Sequence, residues 1–418
     1  MFLPSLSLVF LVGAIVLGYI KKLNVGFVAL GLSFILYLIG KVSPNVLFNG
    51  FPTKLFITLL GTMFLFSLLQ ENKTIELLSK KMLSCVGSRV FFIPIIVYLS
   101  SYLLSAAGPG AISTMSVTII FAVSIAVQMS VSPIMLASLA YIGAVGGTAS
   151  PIALTGIIVT GLLNKQMIFN TEMQVFLGVT IANIICATLV YVYYRGYSLK
   201  SKNTINFDEI PAFDKQQKIS LFGLAVMVFC VVVLRYDVGL TSFAVALVLM
   251  VCGVVNEHKA IKSIPWATLI LISGISVLMG IIQHMKGITL LANILASMMN
   301  ESSAAAIITM TSGIMSWFSS ANGVVIPTLI PTIPDIVDNM GGNISVVEMV
   351  IGIVSASTLS GISPLSTGGS LTLAAYVQET NINDMEQRKL FAELFSLSFA
   401  VMVIVAIMAF LGIFRLFS

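Results

Sequence analysis

Between Val90 and Asn164 the chain carries no Asp, Glu, Lys or Arg, and neither do residues 302–334 or 349–378. A segment that crosses lipid needs about 20 consecutive apolar residues. Charge-free runs of this length, in a chain that is only 9% charged and 58% hydrophobic, predict an all-α polytopic membrane protein. Basic residues do not alternate with aromatics as a nucleic-acid surface requires, so no nucleic-acid partner is expected. The partners are membrane lipid and a small solute. Cys85, Cys186, Cys230 and Cys252 lack paired spacing and read as buried small hydrophobes. The first apolar stretch has no basic leader or small-residue cleavage site and reads as a retained span.

The runs are interrupted at four places. Ser105-Ala-Ala-Gly-Pro-Gly110 is followed by Gly146-Gly-Thr-Ala-Ser-Pro151, and Ser319-Ser-Ala-Asn-Gly323 by Ser360-Gly-Ile-Ser-Pro364. Gly110 to Ser150 is 40 positions, as is Gly323 to Ser363. Gly, Pro and small hydroxyls free backbone groups, which lipid does not permit unless protein or a water-filled cavity receives them. The four breaks therefore read as walls of one transport site.

The second half repeats the first at a constant offset of 213. Asn24 aligns with Asp237, Gly61 with Gly274, Gly110 with Gly323, and Ser150-Pro151 with Ser363-Pro364. Between Leu60 and Ser84, eight of 25 positions are identical to their counterparts. Internal repeats of this kind mark secondary transporters, with the site at the repeat interface. The expected division is a first repeat over 1–195, a linker over 196–218 bearing Lys200, Lys202, Asp208, Glu209, Asp214, Lys215 and Lys218, and a second repeat over 219–418.

Length decides what the broken segments are. The run 302–334 is too short for two spans and a turn, but it suits a re-entrant hairpin over 302–330. Limbs of about 15 residues reach about 22 Å, short of a ~30 Å core. The matching hairpin is 90–129. Segments 132–163 and 346–377 are each one helix unwound in the middle. Apolar spans at Leu3–Ile20, Asn24–Gly40, Leu55–Gln70 and Val175–Tyr194 complete the first half, with an amphipathic interfacial helix in Glu71–Arg89. This gives about ten spans, two re-entrant hairpins and two broken helices. Five crossings per repeat place the copies in inverted orientation. With the linker cytoplasmic and both termini outside, fifteen basic residues lie inside and six outside, as the positive-inside rule prefers.

No cation lies in the breaks, so an anion there is held by backbone N–H groups, hydroxyls and helix N-termini. Ser150-Pro151 and Ser363-Pro364 read as N-cap plus first-turn proline, each opening a half-helix. With the limbs after Gly110 and Gly323, four helix N-termini converge. The candidate substrate residues are Ser105, Ala107, Gly108, Pro109 and Gly110 of the first tip, and Ser319, Ser320, Ala321, Asn322 and Gly323 of the second. Ser150, Pro151, Ser363 and Pro364 complete the set. Carbonyls and hydroxyls at the breaks suit Na⁺ as a coupling ion. Its candidate ligands are Gly146, Thr148, Ser150, Ser320, Asn322, Gly361, Ser366 and Thr367. No organic cofactor is expected.

The Ser319-Ser-Ala-Asn-Gly tip and the Gly146-Gly-Thr-Ala-Ser-Pro and Ser363-Pro-Leu-Ser-Thr-Gly-Gly breaks resemble the ion transporter superfamily, which includes the divalent anion/sodium symporters. Within it, Leu23-Asn-Val-Gly-Phe and Ser150-Pro-Ile-Ala-Leu-Thr-Gly-Ile-Ile-Val159 are similar to the MatC-type malonate/dicarboxylate carriers. The resemblance implies a carboxylate substrate, elevator-type motion of hairpins and broken helices, a dimeric scaffold and a bacterial inner membrane. In the symporters each tip carries Ser-Asn-Thr. Here Ser320 and Asn322 are not contiguous, and Ala107-Gly108-Pro109 replaces the first such triplet, leaving backbone amides to serve.

Other polar residues read as bystanders. Asp335 and Asp338 are expected in a solvated loop, Glu348 at an interface rather than buried, and His258 and His284 at the surface. Gln70 and Gln283 are expected to make structural hydrogen bonds. No His-Glu-x-x-His, paired intramembrane aspartate or Gly-x-Ser-x-Gly supports an intramembrane enzyme. The sequence thus reads as a secondary carrier of small carboxylates of the malonate/C4 class, Na⁺-coupled. The alternatives are an H⁺-coupled or exchange carrier, or an exporter or channel for another small anion.

Overall fold

The computed structural model describes residues 2–84, 90–129, 131–199, 211–255, 257–341, 344–380 and 384–417. Cys85, Arg89, Lys200, Lys202, Asp208 and Glu209 lie outside the described residues, as does the middle of the 196–218 linker. The described residues form helices and short connections, with no strand among them. The first series is α1 (Phe2–Lys21), α2 (Val25–Gly40), α3 (Pro44–Gly50), α4 (Thr53–Glu71) and α5 (Thr74–Ser84), then α6 (Ile93–Ala106), α7 (Gly110–Gln128), α8 (Pro133–Gly147), α9 (Leu154–Lys165) and α10 (Glu172–Tyr193). The second is α11 (Lys215–Val232), α12 (Val238–Val251), α13 (Glu257–Ser263), α14 (Trp266–His284), α15 (Gly287–Ser297) and α16 (Ala304–Phe318). After the wide turn Ala321–Val325 come α17 (Ile326–Leu329), α18 (Ile333–Asn339), α19 (Val346–Leu359), α20 (Thr367–Thr380) and α21 (Asp384–Phe410). Among the described residues, eight helical stretches are long and apolar enough to cross a membrane.

Helix starts follow local chemistry that recurs at the 213 offset. The Asn24 side chain accepts from Gly26 N–H at 2.8 Å and opens α2. The Asp237 carboxylate accepts from Leu240 N–H at 3.0 Å and opens α12. Both satisfy a backbone donor that a helix start leaves over. Pairs α1/α11, α2/α12, α4/α14, α8/α19 and α9/α20 all begin 213 positions apart.

The two series interlock where backbones touch. A Cβ on Gly274 of α14 would lie 2.1 Å from the Gly26 carbonyl oxygen of α2. At the equivalent crossing, a Cβ on Gly61 of α4 would lie 2.3 Å from the Gly239 carbonyl oxygen of α12. Small residues at such crossings let membrane helices approach closely. The core lies in the broken helices. All residues of α8 from Ile134 to Gly147 are buried, as are those of α19 from Glu348 to Leu359. A helix apolar all round belongs inside. By contrast Phe27 and Phe34 on α2, Phe222 and Phe229 on α11, and Leu240 and Val251 on α12 are exposed, the surface that lipid covers.

Several elements differ from the sequence reading. The return limbs are longer than 15 residues: α7 has 19, about 28 Å, and the second continues helically from Ala321 to Asn339, past the expected end at 330. Asp335 and Asp338 therefore stand on α18 rather than in a loop; Pro334 sits in its first turn, where proline fits a helix. The short α3 and α13 were not anticipated, though Ser43-Pro44 is an N-cap followed by a first-turn proline. On α5, Ile75 and Leu77 are buried, and Ile75 packs in a cluster with Leu224 and Met227 of α11 instead of facing the membrane interface. Cys186 is buried and Cys230 half-buried, but Cys252 is exposed. Gln70, Gln283, His258 and His284 are exposed.

Glu348 is the main correction. It lies in the first turn of α19 with its side chain 1% exposed, and its two oxygens accept from Arg415 Nε at 3.3 and 3.1 Å. Arg415 belongs to the C-terminal turn Ile413–Phe417, which folds back on α19. Truncating one member of a buried pair strands the other. Arg415→Met should therefore cost roughly 2–3 kcal/mol, discounted because the guanidinium side chain is 57% exposed. Glu348→Gln, which strands no buried charge, should cost less. Thermal unfolding of the two variants checks the order.

Candidate functional site

Two helix interruptions face each other in the core. In the first, α8 ends at Gly147 and α9 begins at Leu154; in the second, α19 ends at Leu359 and α20 begins at Thr367. Their turns are built alike. A Cβ on Gly156 would meet the Ser150 carbonyl oxygen at 2.0 Å, and one on Gly369 would meet the Ser363 carbonyl oxygen at 2.1 Å. These glycines are again 213 apart, and each lets the unwound chain fold back over the first turn of its half-helix. The half-helices begin three residues later than Ser-Pro capping implied: Ala153, not Ser150, is the N-cap residue of α9. Ser363 instead shapes its own loop, its Oγ accepting from Leu365 N–H at 3.3 Å and its carbonyl from Ser366 N–H at 2.9 Å.

A cavity of about 300 Å³ lies between these breaks, the second hairpin tip, α7 and α1. Of the second tip, Ser319, Ser320, Ala321 and Asn322 line it, while Gly323 is buried behind. Thr148 comes from the first break and Gly361, Ser366 and Thr367 from the second. Ser320 and Thr367 are exposed, so the cavity is an open cleft. No lining residue is charged. The sequence profile of the CitMHS family, described as citrate transporter, matches residues 15–356. The chain belongs to the citrate transporter family. It is accordingly an integral membrane carrier of a small anion and not an enzyme.

No curated protein sequence matches this citrate transporter family member. Among solved structures, its fold is similar to the YdaH transporter of Alcanivorax borkumensis, with a TM-score of 0.58 and 14% identity over 88% of this chain and 86% of that one. It is also similar to MtrF of Neisseria gonorrhoeae, described within a class of antimetabolite efflux pumps. Here the TM-score is 0.60 and identity 11%, over 90% of this chain and 84% of that one. At these identities the likeness concerns the fold alone.

In this family member three helix starts reach the cavity, not four. They are Ala111 and Ile112 of α7, Ala321 and Asn322 of the second tip, and Thr367 and Gly368 of α20. Among the described residues no acceptor bonds the amides of Ala321, Asn322, Thr367 or Gly368. The start of α9 is spent internally: Thr155 and Gly156 N–H donate to the Thr148 carbonyl at 3.0 and 3.1 Å. The first tip is also turned away. Ala107, Gly108, Pro109 and Gly110 do not line the cavity. Gly108, at φ +126°, packs on the Phe66 ring and beside the Ile152 carbonyl, Gly110, at φ +82°, lies against Leu154, and Ser105 is fully buried. Pro151 lines a separate cleft beside Lys54 and Lys165; Ser150, Ser363 and Pro364 are buried. Gly146 faces the Asn183 side chain.

Two contacts tie the breaks together that residue-by-residue reading missed. Thr155 Oγ1 donates to Asn322 Oδ1 at 2.9 Å, joining α9 to the second tip. This leaves the Asn322 amide nitrogen to donate elsewhere. Tyr141 Oη donates to the Thr358 carbonyl at 2.8 Å, joining α8 to α19. Thr155→Val should lose a hydrogen bond worth about 1 kcal/mol and loosen the Asn322 amide. Carboxylate affinity should fall about fivefold, read as a rightward shift in ligand titrations of melting temperature.

Proposed function

We propose that this chain is a secondary active carrier of small polycarboxylates, citrate and the malonate/C4-dicarboxylate class among them, coupled to Na⁺. The observation that carries this is the charge-free cleft in which three helix N-termini and Asn322 converge. Each N-terminus supplies N–H donors and about half a positive charge, so together they suit a multivalent anion that must later leave. No fixed lysine or arginine is then needed to bind it. The family description supports citrate; the Leu23–Phe27 and Ser150–Val159 motifs support the malonate/dicarboxylate side.

Na⁺ fits the donor chemistry. Thr148, Ser320, Asn322, Gly361, Ser366 and Thr367, whose hydroxyls and carbonyls are hard oxygen donors, line one cleft, and unwound carbonyls are the usual Na⁺ ligands of transporters. Gly146 and Ser150 do not line the cleft and are left out of this set. Bound Na⁺ would offset carboxylate charge beside the tip. Hairpins and broken helices would move as a unit against a dimeric scaffold, across a bacterial inner membrane with the 196–218 linker cytoplasmic and both termini outside. Here too α1 supports the reading: Ile15, Gly18 and Tyr19 form one wall of the cleft, the seam across which such motion would occur.

The test is thermal stability of the purified protein with citrate, malonate or succinate, each in NaCl or choline chloride. A ligand at 100 times its Kd adds about 2.7 kcal/mol to the folded state. A melting shift only in NaCl is expected. A shift equal in choline would replace Na⁺ by H⁺ coupling or exchange. No shift with any carboxylate would overturn the substrate class in favour of another small anion.

A further inference from the structure

Tyr141 occupies the floor of the cleft, and we infer that its ring sets the longest substrate the site accepts. The inference rests on the carboxylate reading above. On α8, Tyr141, Val145 and Thr148 line the cavity; their spacing of four and three places them on one helix face. Tyr141 is 3% exposed, and its ring crosses to the second break. There a Cβ on Gly368 would lie 2.2 Å from Tyr141 Cε2, and one on Gly361 would lie 2.5 Å from Oη. The break is thus shaped around the ring, which only glycines at both positions allow.

The hydroxyl does not serve as a ligand donor, because its proton goes to the Thr358 carbonyl. The close packing of Gly361 and Gly368 on the ring holds it across the cleft. The ring therefore acts by volume. At the equivalent position of the second series stands Val354, which is fully buried and does not line the cleft. The block is present on one side of the pseudo-symmetric pair only. With the floor closed by an aromatic ring, short dicarboxylates fit between the second tip and α20, and each added methylene must press on the ring. A well-packed wall yields little to one methylene.

The experiment compares wild type, Tyr141→Val and Tyr141→Phe, each titrated by melting temperature with malonate, glutarate and adipate under the ionic condition that gives the wild-type shift. Wild type should favour malonate over adipate. Tyr141→Val should reduce that preference at least tenfold, while Tyr141→Phe keeps the wild-type order. If the valine variant does not fold, Tyr141→Leu, which keeps more volume but no ring, takes its place. An unchanged order in the valine or leucine variant, with wild type responding, overturns the inference and leaves the site reading standing. Equal shifts in the phenylalanine and valine variants also overturn it, since the hydroxyl would then be the determinant. A wild type that responds to no carboxylate removes the site reading and the inference together.

Discussion

Asn322→Asp is expected to lower carboxylate affinity about a thousandfold while the protein still folds. The two side chains have the same shape, and Asp keeps an oxygen to accept from Thr155 Oγ1, which now bonds Asn322 at 2.9 Å. What changes is one charge in a cleft that has none. Two unit charges about 4 Å apart interact by about 4 kcal/mol at an effective dielectric near 20, about three orders of magnitude in Kd. Asn322→Ala, which removes a donor without adding charge, should cost about tenfold. Titration of melting temperature with citrate reads both. Wild-type affinity in the aspartate variant would show that the anion does not sit beside the second tip.

Gly274→Val is expected to lower the yield of folded protein sharply, and Gly61→Val to do the same. Each glycine touches the backbone of the partner helix, and a Cβ would fall 2.1 or 2.3 Å from a carbonyl oxygen. Backbone has no rotamer by which to escape, so the α2–α14 and α4–α12 crossings would have to separate. Overpacking of a well-packed core costs about 1–3 kcal/mol; a crossing that must open should cost roughly 3 kcal/mol or more. Gly31→Ala is the control. A Cβ there meets nothing within 4 Å, so yield and elution by size exclusion should match wild type. Folded Gly274→Val at wild-type yield would contradict the close crossing.

These two predictions show which features were legible in the chain itself. Gly61 and Gly274 could be paired by the 213 offset before any contact was known, because the offset survives in residues with a single geometric role. The breaks were legible for the same reason: glycine, proline and small hydroxyls inside charge-free runs have few other uses in lipid. Helix starts in the breaks were misplaced by three residues. Ser-Pro resembles a cap, but the fold-back of Ser150 and Ser363 over Gly156 and Gly369 defers the first turn. That signal was present, since both glycines obey the offset.

The rest depended on which face of each break points inward, and sequence similarity between the halves hides that. The two tips occupy equivalent positions, yet Gly108 packs on Phe66 while Ser320 and Asn322 meet the cleft. Nor does the offset show that Thr148 accepts from the α9 amides, removing one of four helix N-termini from the site. Glu348 was misread because its partner, Arg415, lies 67 residues away on the last turn of the chain. Tyr141 and Thr155 looked like ordinary residues of apolar helices; their roles come from contacts 217 and 167 positions distant.

Coupled transport is tested by uptake of labelled citrate and malonate into proteoliposomes containing the purified protein, with and without an inward Na⁺ gradient, beside liposomes bearing Asn322→Asp. Saturable accumulation above the external concentration is expected in wild type, driven by the gradient and lost in the variant. Flux that rises linearly with concentration, or accumulation equal in the aspartate variant, would contradict a coupled carrier whose anion site lies between the second tip and the second break.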